Sequence, residues 1–314
     1  MKDISFVIPC YGSEHTLEMV VNEICTTMKQ REEYSYEIIL VNDNSPDKVW
    51  PVIVKLSKNY DNIKGISLAR NFGQHAALMA GYGICEGNIV VSLDDDGQTP
   101  ADEVFLLIDK INEGYDVVYG CYPKIKQSPF RIWGSWVNEK MIETLLGKPK
   151  ELKCTSYYAA KRFIIEEMLR YKNSFPYVGG LVLRSTKNIT NVQVQHRARL
   201  EGVSGYSLTK LLGLWFNGFT AFSVKPLRLA TIIGFVCAAS GFLFGLIMVL
   251  RKLLGYTTVL GYSSIMTVLL FLGGIIMVLL GIIGEYVGRI YISINNAPQY
   301  VIREKVGIED EETI

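Results

Sequence analysis

The sequence has no paired cysteines and no dominant charge. Its six cysteines, Cys10, Cys25, Cys85, Cys121, Cys154 and Cys237, are scattered, without a CxxC pair. That spacing argues against a zinc ribbon or a disulfide framework and reads as buried thiols in a reducing compartment. Net charge is +1, so the chain offers no global basic field to nucleic acid, and its acidic tail is confined to Glu309–Glu312. The apolar stretch within "MKDISFVIPCYGSEH" is too short for a signal peptide, so nothing is expected to export the N-terminal part. There is no internal repeat and no low-complexity linker.

What the chain has in excess is apolar side chains: 49% of residues are hydrophobic and the mean hydropathy is +0.20. That is apolar for a soluble protein. Two uncharged stretches, 229–250 and 263–284, account for much of it. Each would span roughly 33 Å as a helix, enough for a bilayer core. The loop between them is short, so a hairpin is predicted. Lys210, Lys225 and Arg228 precede the first span, Arg289, Arg303 and Lys305 follow the second, and Arg251 and Lys252 lie in the loop. The positive-inside rule then puts both ends in the cytoplasm and the loop outside. Gly241 and Gly245 form a small-xxx-small step suited to close helix approach, which predicts a homo-oligomer or packing within the hairpin.

The first 160 residues alternate between two periods. Strands are predicted at 4–9, 36–42, 63–69, 88–93 and 116–122, with helical patterns near 14–30, 46–59, 73–85 and 101–113. Strand and helix in alternation predict an α/β fold, a mostly parallel sheet with helices on both faces. Ahead of the first span, Leu208, Leu211, Leu212, Trp215, Phe216 and Phe219 recur at helical spacing, which reads as an in-plane interfacial helix or a core-facing one. The predicted organisation is a cytoplasmic domain 1–205, an interfacial helix 206–226, membrane helices 227–252 and 263–288 around a periplasmic loop 253–262, and a cytoplasmic tail 289–314.

Open parallel sheets bind ligands outside the carboxyl ends of their strands. Asp43 ends the second strand, in "LVNDNSPD", and Asp94, Asp95 and Asp96 end the fourth, in "SLDDDGQTP". Both acidic clusters should meet at one edge. Along an extended chain Asp94 and Asp96 point one way and Asp95 the other. A hard divalent cation, Mg²⁺ or Mn²⁺, carrying a diphosphate would relieve the repulsion, since such ions take few protein carboxylates and complete their shell with phosphate and water.

"SFVIPCYGSE", "LVNDNSPD", "SLARNFGQHAALMAGY", "SLDDDGQTP", "GYDVVYG", "GVSGYS" and "GEYVGRIY" appear in the order found in family 2 glycosyltransferases. The chain resembles that family from Ser5 to about Tyr300, most closely its bacterial polyisoprenyl-phosphate (undecaprenyl-phosphate) members, and more distantly dolichol-phosphate mannose synthase. The resemblance implies a Rossmann-like GT-A domain, an interfacial helix and two membrane helices. It implies inverting transfer of a sugar from a nucleotide sugar, UDP-linked, to polyprenyl phosphate for the cell envelope, lipopolysaccharide included. It places the enzyme in the inner membrane with its catalytic domain cytoplasmic.

Residue by residue, the resemblance puts Pro9, Tyr11 and Glu14 near the nucleotide and makes Asp43 an acceptor for the base. Arg70 would lie beside the nucleotide sugar. Asp94 belongs to the sugar and ribose side, Asp95 is a further nucleotide-sugar-binding residue, Asp96 is the metal ligand, and Gln98 faces the same pocket. Arg131 and Arg199 would grip phosphate, as a bidentate guanidinium does. Arg131 facing lipid headgroups, His75 as a packed histidine and Glu285–Arg289 as a structural helical pair remain open readings.

The chain departs from the family pattern in two places. Asn42–Asp43 stands where two adjacent aspartates are common. In "ELKCTSYYAAKR" the stretch that relatives write "DxGDFRLxxR" has Lys153 and Ser156 at its two aspartate positions when anchored on Arg162, with Glu151 nearby and out of register. Gly205 stands where relatives often have lysine. A phosphate acceptor does not need the missing acid, because its second pKa is about 6 and its attacking oxygen is ionised at neutral pH. A transferase for a glycan or protein acceptor, and a non-catalytic sugar-lipid binding protein or flippase partner, are the competing readings.

Overall fold

The computed structural model describes residues 2–122, 140, 143, 147–195, 197, 225–254, 261–295 and 298–308. They fall into two compact units, one within Met1–Gly213 and Asn296–Ile314, the other within Leu214–Asn295.

Among the described residues, the first unit is built on one eight-stranded sheet. In chain order its elements are β1 (Ile4–Cys10), α1 (Leu17–Met28), β2 (Tyr36–Asn42), α2 (Val49–Asn59), β3 (Ile63–Leu68), α3 (Gln74–Tyr82), β4 (Ile89–Ser92), a 3-10 turn (Ala101–Glu103), α4 (Val104–Asn112) and β5 (Val117–Cys121). There follow β6 (Tyr158–Lys161), α5 (Arg162–Leu169), α6 (Val178–Ser185), β7 (Ile189–Gln193) and, far downstream, β8 (Ile302–Val306). The strand order is β7-β5-β6-β4-β1-β2-β3-β8. β1 pairs parallel with β2 and β4, β2 with β3, and β5 with β7, while β6 and β8 run antiparallel to their neighbours.

β1 is buried at all seven positions, as a strand covered on both faces must be. Phe6, Ile8, Ile38 and Leu40 face α1, α2 and α4, in a core shared with Leu17, Ile24, Ile53 and Ile108. Val7 and Val41 face α3 on the other side. A Cβ at Gly81 would lie 2.4 Å from the Val7 side chain and 3.1 Å from that of Val41. Glycine there lets α3 lie directly on the sheet.

The expected tail, 289–314, is more than a tail, because it contains β8. The pairing starts with Leu68 opposite Ile302 and ends with Gly65 opposite Val306. The Ala69 N–H donates to the Val301 carbonyl at 2.8 Å. Side chains hold the same segment: Trp50 Nε1 donates to Glu304 at 2.9 Å, and Gln299 Nε2 donates to the Tyr171 carbonyl at 2.5 Å.

The second unit comprises α7 (Lys225–Leu253) and α8 (Tyr262–Ile294). Residues 271–292 of α8 have mean hydropathy 2.0, long and apolar enough to cross a membrane. Along α7, 230–243 forms a shorter apolar run. Phe235, Phe242, Phe271 and Met277 are all exposed, the arrangement a helix adopts where lipid is the solvent. Of the expected interfacial helix 206–226, only 225 and 226 are described, at the start of α7. Arg131 and Arg199 also lie outside the described residues.

Candidate active site

Because β1 to β4 are parallel, their carboxyl ends share one edge, and the segments that leave them, 11–16, 43–48, 69–73 and 93–100, meet there. The sheet also brings the start of β6 to that edge, since β6 runs the other way.

The first two segments are laced together by side chains bonding to main chain. The Gly12 N–H donates to Ser45 Oγ at 2.8 Å and Ser45 Oγ to Asp47 Oδ1 at 2.6 Å. The Glu14 N–H donates to Asp47 Oδ2 at 2.9 Å, and the Lys48 N–H to Glu14 Oε2 at 2.8 Å. Gly12, at φ +73°, sits in the left-handed region that glycine adopts without strain. Asn42 accepts the Ser45 N–H and donates to Ser67 Oγ, both at 2.9 Å. The amide here thus uses both a donor and an acceptor, which a carboxylate could not do.

Asp43 is 3% exposed. Its Oδ1 accepts the Phe72 N–H at 2.7 Å and its Oδ2 the Gly73 N–H at 2.8 Å. Burial raises its pKa, and the two N–H donors pull the other way. Both oxygens of the residue expected to meet the base therefore hold the 69–73 segment. Arg70, on that segment, is exposed, with its guanidinium 4.6 Å from the centre of the Phe72 ring.

The three adjacent carboxylates are dispersed to three sets of partners. Asp95 turns toward β1: its Oδ2 accepts the Tyr11 N–H at 2.9 Å, and its carbonyl accepts Thr16 Oγ1 at 2.7 Å. Burial pushes its pKa up to about 6. Asp94 Oδ1 accepts Gln74 Nε2 at 2.9 Å, and its Oδ2 accepts the Ser156 hydroxyl. Asp96 Oδ1 accepts the Gln98 N–H at 3.0 Å, closing a local turn. The Tyr122 hydroxyl has a raised pKa, from burial first and then from the charges of Asp94 and Asp96. Asp95 thus serves Tyr11 while Asp94 serves Gln74 and Ser156, but the chain bends over Asp95–Gly97, so the alternation expected of an extended chain does not apply there.

Pro9 is buried in β1 opposite Val41, beyond the last β1–β4 pair at Val7, so its missing N–H costs no ladder bond to β4. Tyr11 is 54% exposed and offers its ring to the edge. Gln98 Nε2 reaches the Arg197 carbonyl at 3.5 Å. Arg197 in turn is held by Glu23 and Asp102, each at 2.7 Å. The sequence does not single out Gln74, Ser156 or Tyr122 as site residues. Ser156 alone carries a signal there, its register against a family aspartate.

Among the described residues no group of three or more His, Cys, Asp or Glu side chains could enclose a metal ion. Asp96, with Asp94 close by in the chain, offers hard oxygen donors of the kind Mg²⁺ or Mn²⁺ accepts when phosphate and water complete the shell. The donor set fits such an ion and does not form a closed protein cage.

Comparison with known proteins agrees with this geometry. Residues 5–171 match the model of glycosyl transferase family 2, and residues 225–290 match the GtrB C-terminal hairpin. The undecaprenyl-phosphate 4-deoxy-4-formamido-L-arabinose transferase of Photorhabdus laumondii is 34% identical over 98% of this chain and 95% of its own. The uncharacterized glycosyltransferase YkcC of Bacillus subtilis is 33% identical over the same shares. In fold, the chain is similar to Mycobacterium tuberculosis glucosyl-3-phosphoglycerate synthase, solved with Mn²⁺ and UDP-glucose. There the TM-score is 0.52 at 20% identity, covering 70% of this chain and 77% of the other. The family match over more than half of the chain, together with relatives 33–34% identical along nearly all of it, makes this chain a member of glycosyl transferase family 2.

Proposed function

We propose that the chain transfers a sugar from a nucleotide sugar, UDP-linked, to polyprenyl phosphate, in bacteria undecaprenyl phosphate, at the cytoplasmic face of the inner membrane. The product, a polyprenyl-phosphate sugar, would feed envelope glycan modification. The observation that carries this reading is the placement of Asp94, Asp95 and Asp96 at the carboxyl edge of the sheet, in a chain that goes on to an apolar hairpin. The relatives named for undecaprenyl-phosphate transfer, matched over nearly the whole chain, support the acceptor.

In this reading one acceptor phosphate oxygen attacks the anomeric carbon in line. An O–C bond forms and the bond from that carbon to the diphosphate breaks, with inversion. The phosphate's second pKa is about 6, so at neutral pH the nucleophile is already ionised and no protein base is needed. The protein's task is positioning and charge screening. Asp96 would hold a Mg²⁺ or Mn²⁺ ion, which when bound supplies charge neutralisation on the leaving diphosphate. Arg131 and Arg199 would add cations for phosphate. Asp43 would act through the 69–73 segment, setting Arg70 beside the nucleotide sugar. Gly241 and Gly245 support a homo-oligomer through the hairpin.

The test is full-length protein in lipid nanodiscs with undecaprenyl phosphate, Mg²⁺ and a panel of nucleotide sugars, read by mass spectrometry of the lipid. One nucleotide sugar should yield a lipid-phosphate sugar. Transfer confined to a glycan or protein acceptor, or binding without turnover across the panel, would overturn the proposal. Topology is checked separately: a cysteine replacing Thr258 should label from the periplasmic side and one replacing Glu309 should not.

A further inference from the structure

Two neutral side chains hold the Asp94 carboxylate, one at each oxygen: Gln74 Nε2 at 2.9 Å on Oδ1 and the Ser156 hydroxyl on Oδ2. Asp94 lies just past the end of β4, where the ladder no longer fixes the chain. Both of its donors, by contrast, stand on rigid supports. Gln74 opens α3, whose entry is fixed by the Gly73 N–H on Asp43. Ser156 lies between two anchors. The Thr155 hydroxyl lies 2.8 Å from the Gly120 carbonyl and 2.9 Å from the Tyr157 carbonyl and donates its one proton to one or the other, and Tyr158 pairs with Ser92 in the sheet.

A carboxylate free to rotate must be ordered each time substrate binds, whereas one held at both oxygens is ordered beforehand. Resting on the reading above, in which Asp94 faces the sugar, we infer that Ser156 is a positioning residue whose hydroxyl fixes the Asp94 carboxylate for the transferred sugar. The segment before β6 then takes part in the reaction through a hydroxyl instead of an acid. A hydroxyl can donate to Asp94, while an ionised carboxylate at this position would face it as a like charge.

The experiment compares Ser156→Ala, Ser156→Thr and Ser156→Asp in full-length protein, reading kcat and KM for the nucleotide sugar together with calorimetric binding of nucleotide sugar and of free nucleoside diphosphate. Ser156→Ala should lower kcat/KM by about 10- to 100-fold, shared between kcat and nucleotide-sugar affinity, the size of one lost hydrogen bond to a charged group. Its affinity for free nucleoside diphosphate should fall less than its affinity for the nucleotide sugar, because Asp94 faces the sugar as well as the ribose. Ser156→Thr should recover most of the loss, and Ser156→Asp should be worse than Ser156→Ala. Equal kcat/KM in Ser156→Ala and the parent would overturn the inference. So would an equal fall of nucleoside diphosphate affinity and thermal stability in the Ala and Thr variants, which would mean a purely structural role. If the parent shows no turnover, the proposed function fails. The inference is then decided by whether Ser156→Ala loses the extra affinity that the sugar adds over the bare diphosphate.

Discussion

The Gly73 N–H meets the Asp43 carboxylate at 2.8 Å across 30 residues of sequence, and the Phe72 N–H meets its other oxygen at 2.7 Å. This pair of bonds ties the exit of β2 to the entry of α3 and fixes the segment that carries Arg70. Asp43→Asn keeps one acceptor and turns an amide donor toward the other N–H. The expected cost is about 1–3 kcal/mol of stability, the penalty for an unpaired buried donor, with a severalfold rise in KM for the nucleotide sugar. Thermal unfolding and steady-state kinetics check both. A variant as stable as the parent would mean that the segment is held by other contacts.

Asp96→Asn should abolish transfer and weaken nucleotide-sugar binding measured in Mn²⁺. A neutral amide is a poor ligand for a hard divalent ion beside phosphate. Binding titrations with and without Mn²⁺ separate the metal effect from any direct contact. Near-normal turnover would remove the core of the proposed mechanism.

His75 packs edge-on against Tyr177 with ring centres 5.2 Å apart. Burial lowers its pKa to about 4, from 6.5. The unfolded chain therefore binds this proton at a higher pH than the folded one. The stability this histidine contributes is fully present above about 6.5 and is lost as pH falls toward 4. Asp95 has the opposite sign: its raised pKa, about 6, makes its contribution fall as pH rises from about 4 to 6. His75→Phe keeps a ring against Tyr177 and removes one titration. The stability difference between parent and variant should move by up to about 3 kcal/mol in the variant's favour between pH 7 and pH 4. Unfolding of the two proteins across that range measures it, and the Asp95 effect cancels. A difference that stays constant with pH would show that His75 is hydrated in the folded protein.

Glu151 is exposed. If the acceptor phosphate is its own nucleophile, Glu151→Gln should keep activity within about tenfold, equivalent to ~1.4 kcal/mol of barrier. Arg131→Ala and Arg199→Ala should lose more, since each leaves phosphate charge unscreened. The log-rate profile should bend near pH 6, the acceptor's second pKa. A thousandfold or larger loss of turnover in Glu151→Gln, with both substrates still bound, would make Glu151 the general base.

The five strands read from the sequence lie within a residue of those observed, because strands buried on both faces leave continuous apolar runs such as "ISFVIP" and "YEIILVN". The others leave no such trace. β6 is four residues, "YAAK", too short to show a period. β7, "ITNVQ", is mostly polar. β8, "IREKV", is charged at its centre, as an edge strand commonly is, and so reads as a solvated tail. At the site, the acidic residues were legible by type and by their place at strand ends. Their partners were not. Asp43 and Asp95 bond to main-chain N–H groups, which carry no sequence signature, and Gln74 and Ser156 reach Asp94 across 20 and 62 residues.

β8 follows both apolar helices in the chain and yet covers the β3 edge of a sheet whose other strands all precede them. During synthesis that edge can close only after α7 and α8 have left the ribosome. Until then β3 presents unpaired main-chain groups, the kind of surface that invites pairing with another chain. Completion of the catalytic unit is thereby placed after synthesis of the hairpin, and a nascent chain stalled before residue 302 would carry an open sheet.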